Sequence, residues 1–441
     1  MTSEPFAAFF KGKTVTLLGL GLLGRGVGDA AFLARHCAKV FVTDLKSAEE
    51  LAASVAALTA YKNIEFFLGG HVDKIFSDVD FVIKGAGVRL DHPSIALARR
   101  NNIPVYMSTA LFARLSPLKT IGVTGTRGKT STTCMIAEIL KRAGEKVLLG
   151  GNIRGVSTLA QLPEASRYDI AVLELDSWQL QGFDDLKISP DIAVFTTLYP
   201  DHMNYYDGDM ARYLRDKASI FRHQKAGDTL VTTQDITEQT TAEREGYRGN
   251  WIIAQPLPES FPMKIPGAHN RLNAGLAKAV GAICNIDEDI IDEALHNFEG
   301  VEGRLQYVGR WRERALYNDN NATTQDATLA ALTAFPPATV VLIFGGADKG
   351  LPIERLMDYI AQHRIRCVLL NGSGSDRVRH ALPDIPVANT MPEAVKMARD
   401  ISKPQDNIIL SPAFASFGLF KNEYDRNDQF MAETHKMMAE G

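Results

Sequence analysis

The sequence has few cysteines, no long hydrophobic run and no surplus of charge of one sign. Its four cysteines, Cys37, Cys134, Cys284 and Cys367, form no Cys-x-x-Cys pair. This excludes a disulfide scaffold and favours buried thiols in a reducing compartment. No apolar run approaches the ~20 residues that span a bilayer, and the N-terminus does not have the pattern of a signal peptide. We therefore expect a cytoplasmic protein with no membrane partner.

The charge balance also argues against a nucleic-acid partner. The 441 residues include 48 Lys and Arg and 52 Asp and Glu, for a net charge of -4. Neutralising phosphates would need a basic surplus or a basic patch. The hydrophobic fraction of 45% and the charged fraction of 23% are typical of a globular protein. At roughly 150 residues per domain, this length predicts about three domains.

Apolar, β-prone runs alternate with helical stretches along the chain, which predicts parallel sheets with crossover helices. The alternation falls into three α/β blocks in series, with predicted boundaries at residues 1–116, 117–301 and 302–441. We expect a Rossmann-like first domain, a central domain like the P-loop ATPases and a Rossmann-like third domain. Ligands of open parallel sheets bind beyond the carboxyl ends of the strands. The residues at those ends are therefore the candidates for a site.

A glycine-rich loop stands between a predicted strand and a predicted helix in the central block. The segment Gly122–Thr130 reads GVTGTRGKT. It departs from the usual GxxxxGK[ST] pattern, because Val123 stands at the first glycine position. Its small residues expose N–H groups, and with the helix dipole these bind phosphate. Lys129 would then reach the β- and γ-phosphates, and Thr130 would bind Mg²⁺. The alternative is a glycine-rich turn without a ligand.

A second glycine motif, Gly19–Gly24, follows the first predicted strand and reads GLGLLG. Together with Asp44 it fits the fingerprint of a dinucleotide-binding fold. Three interpretations stay open at this point: NAD, another nucleotide or nucleotide sugar, and a purely structural turn. NAD binding would make the protein a nicotinamide-dependent oxidoreductase, which would leave the central glycine-rich loop unexplained.

Three further side chains are candidates from their positions. Glu174 ends a continuous apolar run, and a carboxylate at such a strand end is a natural Mg²⁺ ligand. His202 follows the next predicted strand and could bind a metal. Taken singly, the carboxylate could equally lie on the surface and the histidine could be structural. Lys217 alone would be an ordinary solvated helical lysine.

Four motifs together resemble the Mur ligases, the ATP-dependent amide-forming enzymes of peptidoglycan synthesis. They are Gly122–Thr133 (GVTGTRGKTSTT), Gly267–Asn273 (GAHNRLN), Gly345–Gly350 (GGADKG) and Leu410–Ser416 (LSPAFAS). The resemblance runs over nearly the whole chain. With Asn318-Asp319 and Lys421-Asn422, it is strongest to the members that add D-glutamate.

The resemblance implies an activity. It is an ATP-dependent ligase that adds glutamate, with D-glutamate favoured, to UDP-N-acetylmuramoyl-L-alanine. The substrate carboxylate would be activated as an acyl phosphate and then attacked by the incoming amine. ATP and Mg²⁺, with two ions expected, would be the cofactors. The partners would be these small molecules, and we expect a monomer.

The resemblance also implies roles for the three blocks and for individual residues. The first block would bind the UDP substrate, through Gly19, Leu20, Gly21 and Asp44, with Asn152 and Gln179 from the central block. ATP would contact Gly125, Thr126, Gly128, Lys129, Thr130, Ser131, Asn270, Arg304 and Asp319. Metal ions would be held by Thr130, Glu174, His202 and Lys217, the last as a carbamate. The catalytic group would comprise Lys129, Glu174, His202 and Lys217. The third block would hold the amino acid with Lys349, Ser416 and Phe417.

Some residues depart from the pattern of the D-glutamate-adding members. Asp176 and Trp178 stand where serine and phenylalanine are usual, Asn321 replaces a lysine, and Glu423 replaces an aromatic residue. A lost cation and a gained anion would weaken the binding of a dicarboxylic amino acid. L-glutamate or another amino acid therefore stays open as the substrate. Related ligases, such as a folylpolyglutamate synthase or a later muramoyl-peptide ligase, and a non-catalytic relative are further alternatives.

Overall fold

The computed structural model describes residues 6–22, 24–153 and 155–440, so Leu23 of the N-terminal glycine motif lies outside the described residues. The strands of these ranges form three sheets with intervening helices. This confirms the predicted α/β class and the series of three blocks.

The first sheet contains five parallel strands in the order β3-β2-β1-β4-β5. Its strands are β1 (Thr14–Leu18), β2 (Lys39–Asp44), β3 (Ile64–Leu68), β4 (Phe81–Lys84) and β5 (Val105–Tyr106). β1 lies at the centre, so the glycine motif and Asp44 follow two adjacent strands at the same edge. This is the arrangement that a nucleotide-binding fold requires.

The second sheet contains six parallel strands in the order β11-β10-β9-β6-β8-β7. Its strands are β6 (Lys119–Thr124), β7 (Val147–Gly151), β8 (Ile170–Glu174), β9 (Ile192–Phe195), β10 (Thr229–Thr232) and β11 (Asn250–Ile253). All residues of β8 and β9 are buried, as expected for strands covered on both faces. The carboxyl ends of β6, β8 and β9 meet at one edge, which carries the glycine-rich loop.

The third sheet is mixed and has the order β12-β13-β17-β14-β15-β16. Its strands are β12 (Gln306–Trp311), β13 (Arg314–Asn318), β14 (Val340–Gly345), β15 (Arg366–Leu370), β16 (Val387–Ala388) and β17 (Asn407–Leu410). Only β12 is antiparallel, paired with β13. The ends of β13, β14 and β17 therefore lead into three neighbouring loops.

Helices connect and cover the sheets. In the first block they are α1 (Ala7–Phe10), α2 (Arg25–His36), α3 (Ala52–Ala56), α4 (Pro93–Arg100) and α5 (Ser108–Leu115). The next are α6 (Lys129–Arg142), α7 (Ser177–Leu186), α8 (Met210–Arg222), α9 (Gln234–Gln239), α10 (Ala268–Ile283) and α11 (Glu288–Asn297). The last are α12 (Gln325–Leu332), α13 (Glu354–His363), α14 (Ser375–Ala381), α15 (Met391–Ile401) and α16 (Glu423–Ala439).

The chain divides into two compact units. One contains the chain through Gln255 together with Gly275–Ile291, and the other contains Pro256–Ala274 and the chain from Asp292 onward. The first two sheets belong to the first unit, and the third sheet belongs to the second. The three predicted domain boundaries stay a prediction, because this division groups two sheets together. Over the described ranges, no helix is long and apolar enough to cross a membrane.

Candidate active site

The glycine-rich loop joins β6 to α6 and is held by the segment that follows β9. Thr126 donates its N–H to Thr197 O at 2.7 Å and its hydroxyl to Tyr199 O at 3.1 Å. Gly125 has a φ of +145°, and a Cβ atom there would lie 2.0 Å from Thr196 Oγ1. Only glycine fits this position. The loop is thus fixed before α6 begins, and the start of a helix is a position that suits an anion.

Two lysine amines converge on one carbonyl oxygen of this loop. Lys129 Nζ, in the first turn of α6, donates to Gly125 O at 2.9 Å and to Thr126 O at 3.2 Å. Lys217 Nζ, from α8, donates to the same Gly125 O at 2.9 Å. The structure therefore brings two of the predicted catalytic residues together. Two ammonium groups at one oxygen repel each other, which favours the loss of one proton.

Lys217 is buried because α8 presents one face to the sheet. Tyr213, one helical turn earlier, lies on the same face, and only 1% of Lys217 is exposed. The Lys217 amine lies 4.8 Å from the centre of the Tyr213 ring. Burial, and after it the charge of Lys129, lowers the pKa of Lys217 well below its ordinary value. A neutral amine is a nucleophile, which an ordinary surface lysine is not.

Glu174 ends β8 at the edge of the sheet that carries the loop. The strand register places it opposite Val123 of β6 and Gly151 of β7. Its side chain is buried, and Oε1 accepts a long hydrogen bond from Asn152 Nδ2 at 3.5 Å. A Cβ atom on Gly151 would lie 2.0 Å from Glu174 O, so this close approach requires glycine. The predicted metal ligand Glu174 and the predicted substrate residue Asn152 are neighbours.

His202 follows β9 and has a partly exposed side chain. Its backbone φ is +53°, a left-handed conformation that is uncommon for residues other than glycine, although less so for histidine than for most. The imidazole ring lies 4.8 Å from the indole of Trp178, which in turn lies 5.3 Å from the ring of Tyr205. Arg89, from the first block, donates to Tyr205 O at 2.9 Å and lies over its ring. Trp178, which departs from the family pattern, and Tyr205 thus support the His202 segment.

A cavity of about 980 Å³ lies between the first two sheets, within the first unit. Its lining includes every residue predicted to bind the UDP substrate: Gly19, Leu20, Gly21, Asp44, Asn152 and Gln179. Asp44 accepts N–H groups from Gly21 at 2.9 Å and from Lys46 at 3.0 Å, so it shapes the two loops on which it borders. A cavity of this volume can hold a nucleotide-sized ligand.

Lys84 is a cavity residue that the sequence interpretation missed. It ends β4, is 2% exposed, and donates to Val88 O at 3.0 Å. Burial lowers the pKa of Lys84 to about 8. The sequence carries a signal for it, because Lys84 ends an apolar strand, as Glu174 does.

Asp176 and Gln179 form a reciprocal cap at the start of α7. Gln179 N donates to Asp176 Oδ1 at 2.7 Å, and Asp176 N donates to Gln179 Oε1 at 3.2 Å. Gln179 Nε2 donates further to Thr109 Oγ1 at 3.1 Å. The unusual Asp176 therefore works as a helix cap. Gln179 lies in the cavity wall, and both its side-chain amide oxygen and nitrogen are already hydrogen bonded within the protein.

Three predicted nucleotide contacts belong to the second unit. Asn270 is buried and donates to Pro266 O at 2.8 Å. Asp319 accepts from Leu305 N at 3.0 Å and from the Ser411 hydroxyl at 2.7 Å, and burial raises its pKa to about 7. Arg304 is exposed, and its charge partly opposes that rise. These residues and Lys129 lie in different units, so their role at one nucleotide stays a prediction.

The residues predicted to bind the amino acid lie on loops after β14 and β17. Lys349 Nζ donates to Thr323 Oγ1 at 3.1 Å. An antiparallel bridge between Ala347 and Ala415 places the two loops side by side. Ser416 is buried, whereas 61% of Phe417 is exposed. Three strand ends thus contribute to one polar surface of the second unit.

The chemistry of the predicted metal ligands fits Mg²⁺ in part. Among the residues that the structure describes, no group of three or more His, Cys, Asp or Glu side chains is placed to hold a metal ion. Mg²⁺ prefers oxygen donors and is completed by water and substrate phosphates, so it needs few protein ligands. The Thr130 hydroxyl, the Glu174 carboxylate and a carbamate on Lys217 would supply such oxygens. His202 offers a nitrogen and is the poorest match.

Comparisons with known proteins agree with this geometry. The model of the Mur ligase middle domain matches residues 123–252, and that of the Mur ligase MurD-like N-terminal domain matches residues 13–107. A UDP-N-acetylmuramoylalanine–D-glutamate ligase from a Roseiflexus species is 34% identical, over 95% of this chain and 97% of that protein. The chain belongs to the Mur ligase family. Relatives with the same name from Streptococcus sanguinis (34% identical, 96% and 98% covered) and Koribacter versatilis (32%, 98% and 98%) confirm the resemblance drawn from the motifs.

Solved structures of Mur ligases have the same fold. The UDP-N-acetylmuramate–alanine ligase MurC of Thermotoga maritima aligns with a TM-score of 0.57 at 20% identity, over 96% of this chain and 99% of that one. The MurF ligase of the same organism, solved with ADP, has a TM-score of 0.57 at 16% identity, over 98% and 97%. At this identity the likeness supports the family fold alone.

Proposed function

We propose that this Mur ligase joins D-glutamate to UDP-N-acetylmuramoyl-L-alanine with hydrolysis of ATP, as a monomer in the cytoplasm. The proposal rests on one observation in particular. Lys129 and the buried Lys217 converge on Gly125 O, beside the helix start that suits a phosphate. Full-length relatives with 31–34% identity carry the name of this reaction, which supports the choice of substrates.

The reaction activates a carboxylate, which is otherwise a poor electrophile. The carboxylate of UDP-N-acetylmuramoyl-L-alanine attacks the γ-phosphorus of ATP, the bond to ADP breaks, and an acyl phosphate forms. The amino-acid nitrogen then attacks the acyl carbon, loses a proton and displaces phosphate, which leaves an amide. Lys129 and the N–H groups at the start of α6 stabilise the negative charge on the transferred phosphoryl group. Mg²⁺, held by Thr130, Glu174 and a carbamate on Lys217, would neutralise phosphate charge.

Lys217 is suited to become a carbamate. A neutral lysine amine attacks carbon dioxide, a C–N bond forms, and one proton leaves, which converts the side chain into an anion. The lowered pKa of Lys217 favours the neutral amine that this step needs. The product would place an anion beside the Lys129 ammonium, so the two charges would pair.

The remaining predicted contacts complete the proposal. The cavity lined by Gly19, Leu20, Gly21 and Asp44 would hold the UDP moiety, and Asn152 would meet the muramoyl part near Glu174. Gly125, Thr126, Gly128 and Ser131 would complete the ATP contacts, with Asn270, Arg304 and Asp319. Lys349, Ser416 and Phe417 would contact the amino acid.

A second candidate keeps the reaction and changes the amino acid. Asn321 is exposed beside Thr323, the partner of Lys349, so the family's usual lysine charge is missing at this surface. L-glutamate, or another amino acid, is the substrate under this alternative. The same loops would bind it with a different balance of charge.

Phosphate release from ATP tests both candidates. The assay contains UDP-N-acetylmuramoyl-L-alanine and one amino acid at a time: D-glutamate, L-glutamate, D- and L-glutamine, other amino acids, or none. We expect release that needs both the UDP substrate and D-glutamate. Release only with L-glutamate or another amino acid would support the second candidate. No release with any of them, while ATP still binds, would favour a non-catalytic relative.

A further inference from the structure

Arg426 carries a fully buried charge in the second unit. It belongs to the first turn of α16 and is 0% exposed. Its Nε donates to Asn320 Oδ1 at 2.7 Å, and its two terminal nitrogens donate to Asn320 O at 2.9 Å and to Phe414 O at 3.1 Å. All three acceptors are neutral. Across the described ranges, no carboxylate forms an ion pair with this guanidinium.

An uncompensated buried cation is costly, and proteins normally pair such a charge. Arginine cannot lower this cost by losing its proton near neutral pH. Burial lowers the pKa of Arg426 only to about 10, and Glu423 opposes that fall. The guanidinium therefore stays charged, and its field reaches the surrounding surface with little screening by water.

The positions of its partners connect this charge to the predicted amino-acid site. Asn320 lies on the loop after β13, three residues before Thr323, whose hydroxyl accepts from Lys349. Phe414 lies on the loop after β17, two residues before Ser416. Arg426 thus holds two of the three loops that form the site. Its charge, after burial, also lowers the pKa of Lys349.

Three carboxylates of these loops and of α16 are already engaged. Asp319 is hydrogen bonded to Ser411 and Leu305, and Asp348 pairs with Arg377 at 2.9 Å. Asp425 accepts from Lys421 N at 2.9 Å. Glu423 acts on Arg426 through its charge but forms no ion pair with it among the described residues, so the surface above Arg426 still attracts an anion.

We propose that Arg426 is a positioning residue that selects a dicarboxylic amino acid, by holding the Asn320 and Phe414 loops together and providing a fixed positive charge beneath them. The inference rests on the proposed function for the location of the amino-acid site. The charge of Arg426 would take the place of the lysine that the family usually has at position 321. It would then be the source of the preference for a carboxylate side chain. Arg426 acts through these loops and does not touch the substrate.

Two variants abolish the net positive charge at this position, one by deleting the guanidinium and one by pairing it with a carboxylate. Arg426→Met deletes the guanidinium. Asn320→Asp keeps it but places a carboxylate at its Nε, which neutralises it within a nearly identical side-chain shape. For both variants, we expect the KM for glutamate to rise by about 10-fold. This is the effect of losing the attraction between two unit charges ~10 Å apart at an effective dielectric constant near 20. The KM values for ATP and for the UDP substrate should change less than twofold.

The decisive measurement is the ratio of kcat/KM for glutamate to that for glutamine of the same chirality. The two amino acids have nearly the same shape, but only glutamate has a charged side chain. The ratio should fall about 10-fold in both variants, and Asn321→Lys, which restores the usual lysine at an exposed position, should recover much of it. Arg426→Lys, which keeps the charge, should retain most of the ratio.

Arg366→Met is the matched control, because Arg366 is a partly buried arginine of the same unit that pairs with Asp406. This variant should lose stability and keep the ratio. An unchanged ratio in folded Asn320→Asp or Arg426→Met would overturn the inference, and so would turnover by the wild type with neutral amino acids only. If the wild type turns over no amino acid, the proposed function fails. Calorimetric binding of glutamate and glutamine to the same variants would then decide the inference separately.

Discussion

Each unit buries a basic side chain that forms no ion pair with the residues that the structure describes, but the two residue types differ. Lys217 in the first unit and Arg426 in the second are both almost completely excluded from solvent. Each donates to backbone carbonyl oxygens, Lys217 to Gly125 O and Arg426 to Asn320 O and Phe414 O. The environments of the two side chains are similar, whereas their abilities to lose a proton are not.

The difference lies in what each side chain can do about its burial. A lysine amine can lose its proton and react, so burial turns Lys217 into a nucleophile. A guanidinium cannot lose its proton under these conditions, so Arg426 remains a fixed charge. Burial therefore predicts a reactive amine at Lys217 in the first unit. In the second unit it predicts that the fixed charge of Arg426 selects a substrate by its charge.

The largest effect is expected at Lys129, whose charge contributes to the lowered pKa of Lys217. Lys129→Ala removes a donor to the transferred phosphoryl group, and we expect turnover to fall by at least ~10³-fold. Phosphate release measures the loss, and circular dichroism shows whether the fold remains. Lys141→Ala, at the exposed end of the same helix, is the control. Unchanged turnover in Lys129→Ala would refute the phosphate-loop assignment.

The next effect distinguishes a reactive lysine from a merely charged one. Lys217→Ala should lose about 10²–10³-fold in turnover, and acetate should restore on the order of 10-fold by occupying the place of the carbamate. Lys217→Arg keeps a positive charge but cannot form a carbamate, so it should stay inactive. If acetate has no effect on Lys217→Ala, the carbamate has no support. An active Lys217→Arg would mean that charge alone matters.

The sequence is sufficient to predict the positions of the glycine-rich loops after β1 and β6, because both follow a general rule for parallel sheets. Parallel strands place their carboxyl ends at one edge, so the glycine motifs, Asp44 and Glu174 had to lie near ligand sites. The residues predicted to bind UDP do line one cavity, and their binding of UDP stays a prediction. Lys84 follows the same rule, and the sequence interpretation overlooked it.

Features that depend on tertiary contacts could not be predicted in the same way. The run Asp78–Ile83 predicts a strand, but the observed strand is Phe81–Lys84, and Asp80 lies just before it with its carboxylate accepting the N–H of Thr14 at 2.8 Å. β3 is half-buried, and its apolar pattern was too weak to identify. The convergence of Lys217 and Lys129 on one oxygen joins residues far apart in sequence. The family resemblance placed both residues in one catalytic group but did not predict this shared oxygen.

A smaller effect separates the UDP cavity from the lysine pair. Asp44→Ala removes the acceptor for Gly21 N and Lys46 N, so the two loops lose their shape. We expect the KM for the UDP substrate to rise about 10-fold and the KM for ATP to change less than twofold. Steady-state kinetics with each substrate varied in turn measures both. Asp80→Ala is the control, since Asp80 also accepts a backbone N–H but at the opposite edge of the first sheet. Equal increases in both KM values in Asp44→Ala would contradict a separate site.

The smallest effect concerns Lys84, a third buried cation, which should behave like Lys217 and not like Arg426. Its pKa is about 8 in the folded protein, below the ordinary value of 10.5. Below pH 8 the charged amine is buried at full cost. As the pH rises from about 8 to 10.5, the folded state has lost this proton and the unfolded state still holds it, so stability increases.

Lys84→Met and Lys84→Arg both lack this gain in stability. Their Tm relative to the wild type should therefore fall by on the order of 3 °C between pH 7.5 and pH 10. Titrations shared by all three proteins cancel in these differences, which thermal unfolding measures directly. A pH-independent difference would show that Lys84 keeps its proton and would place it with Arg426 as a fixed charge.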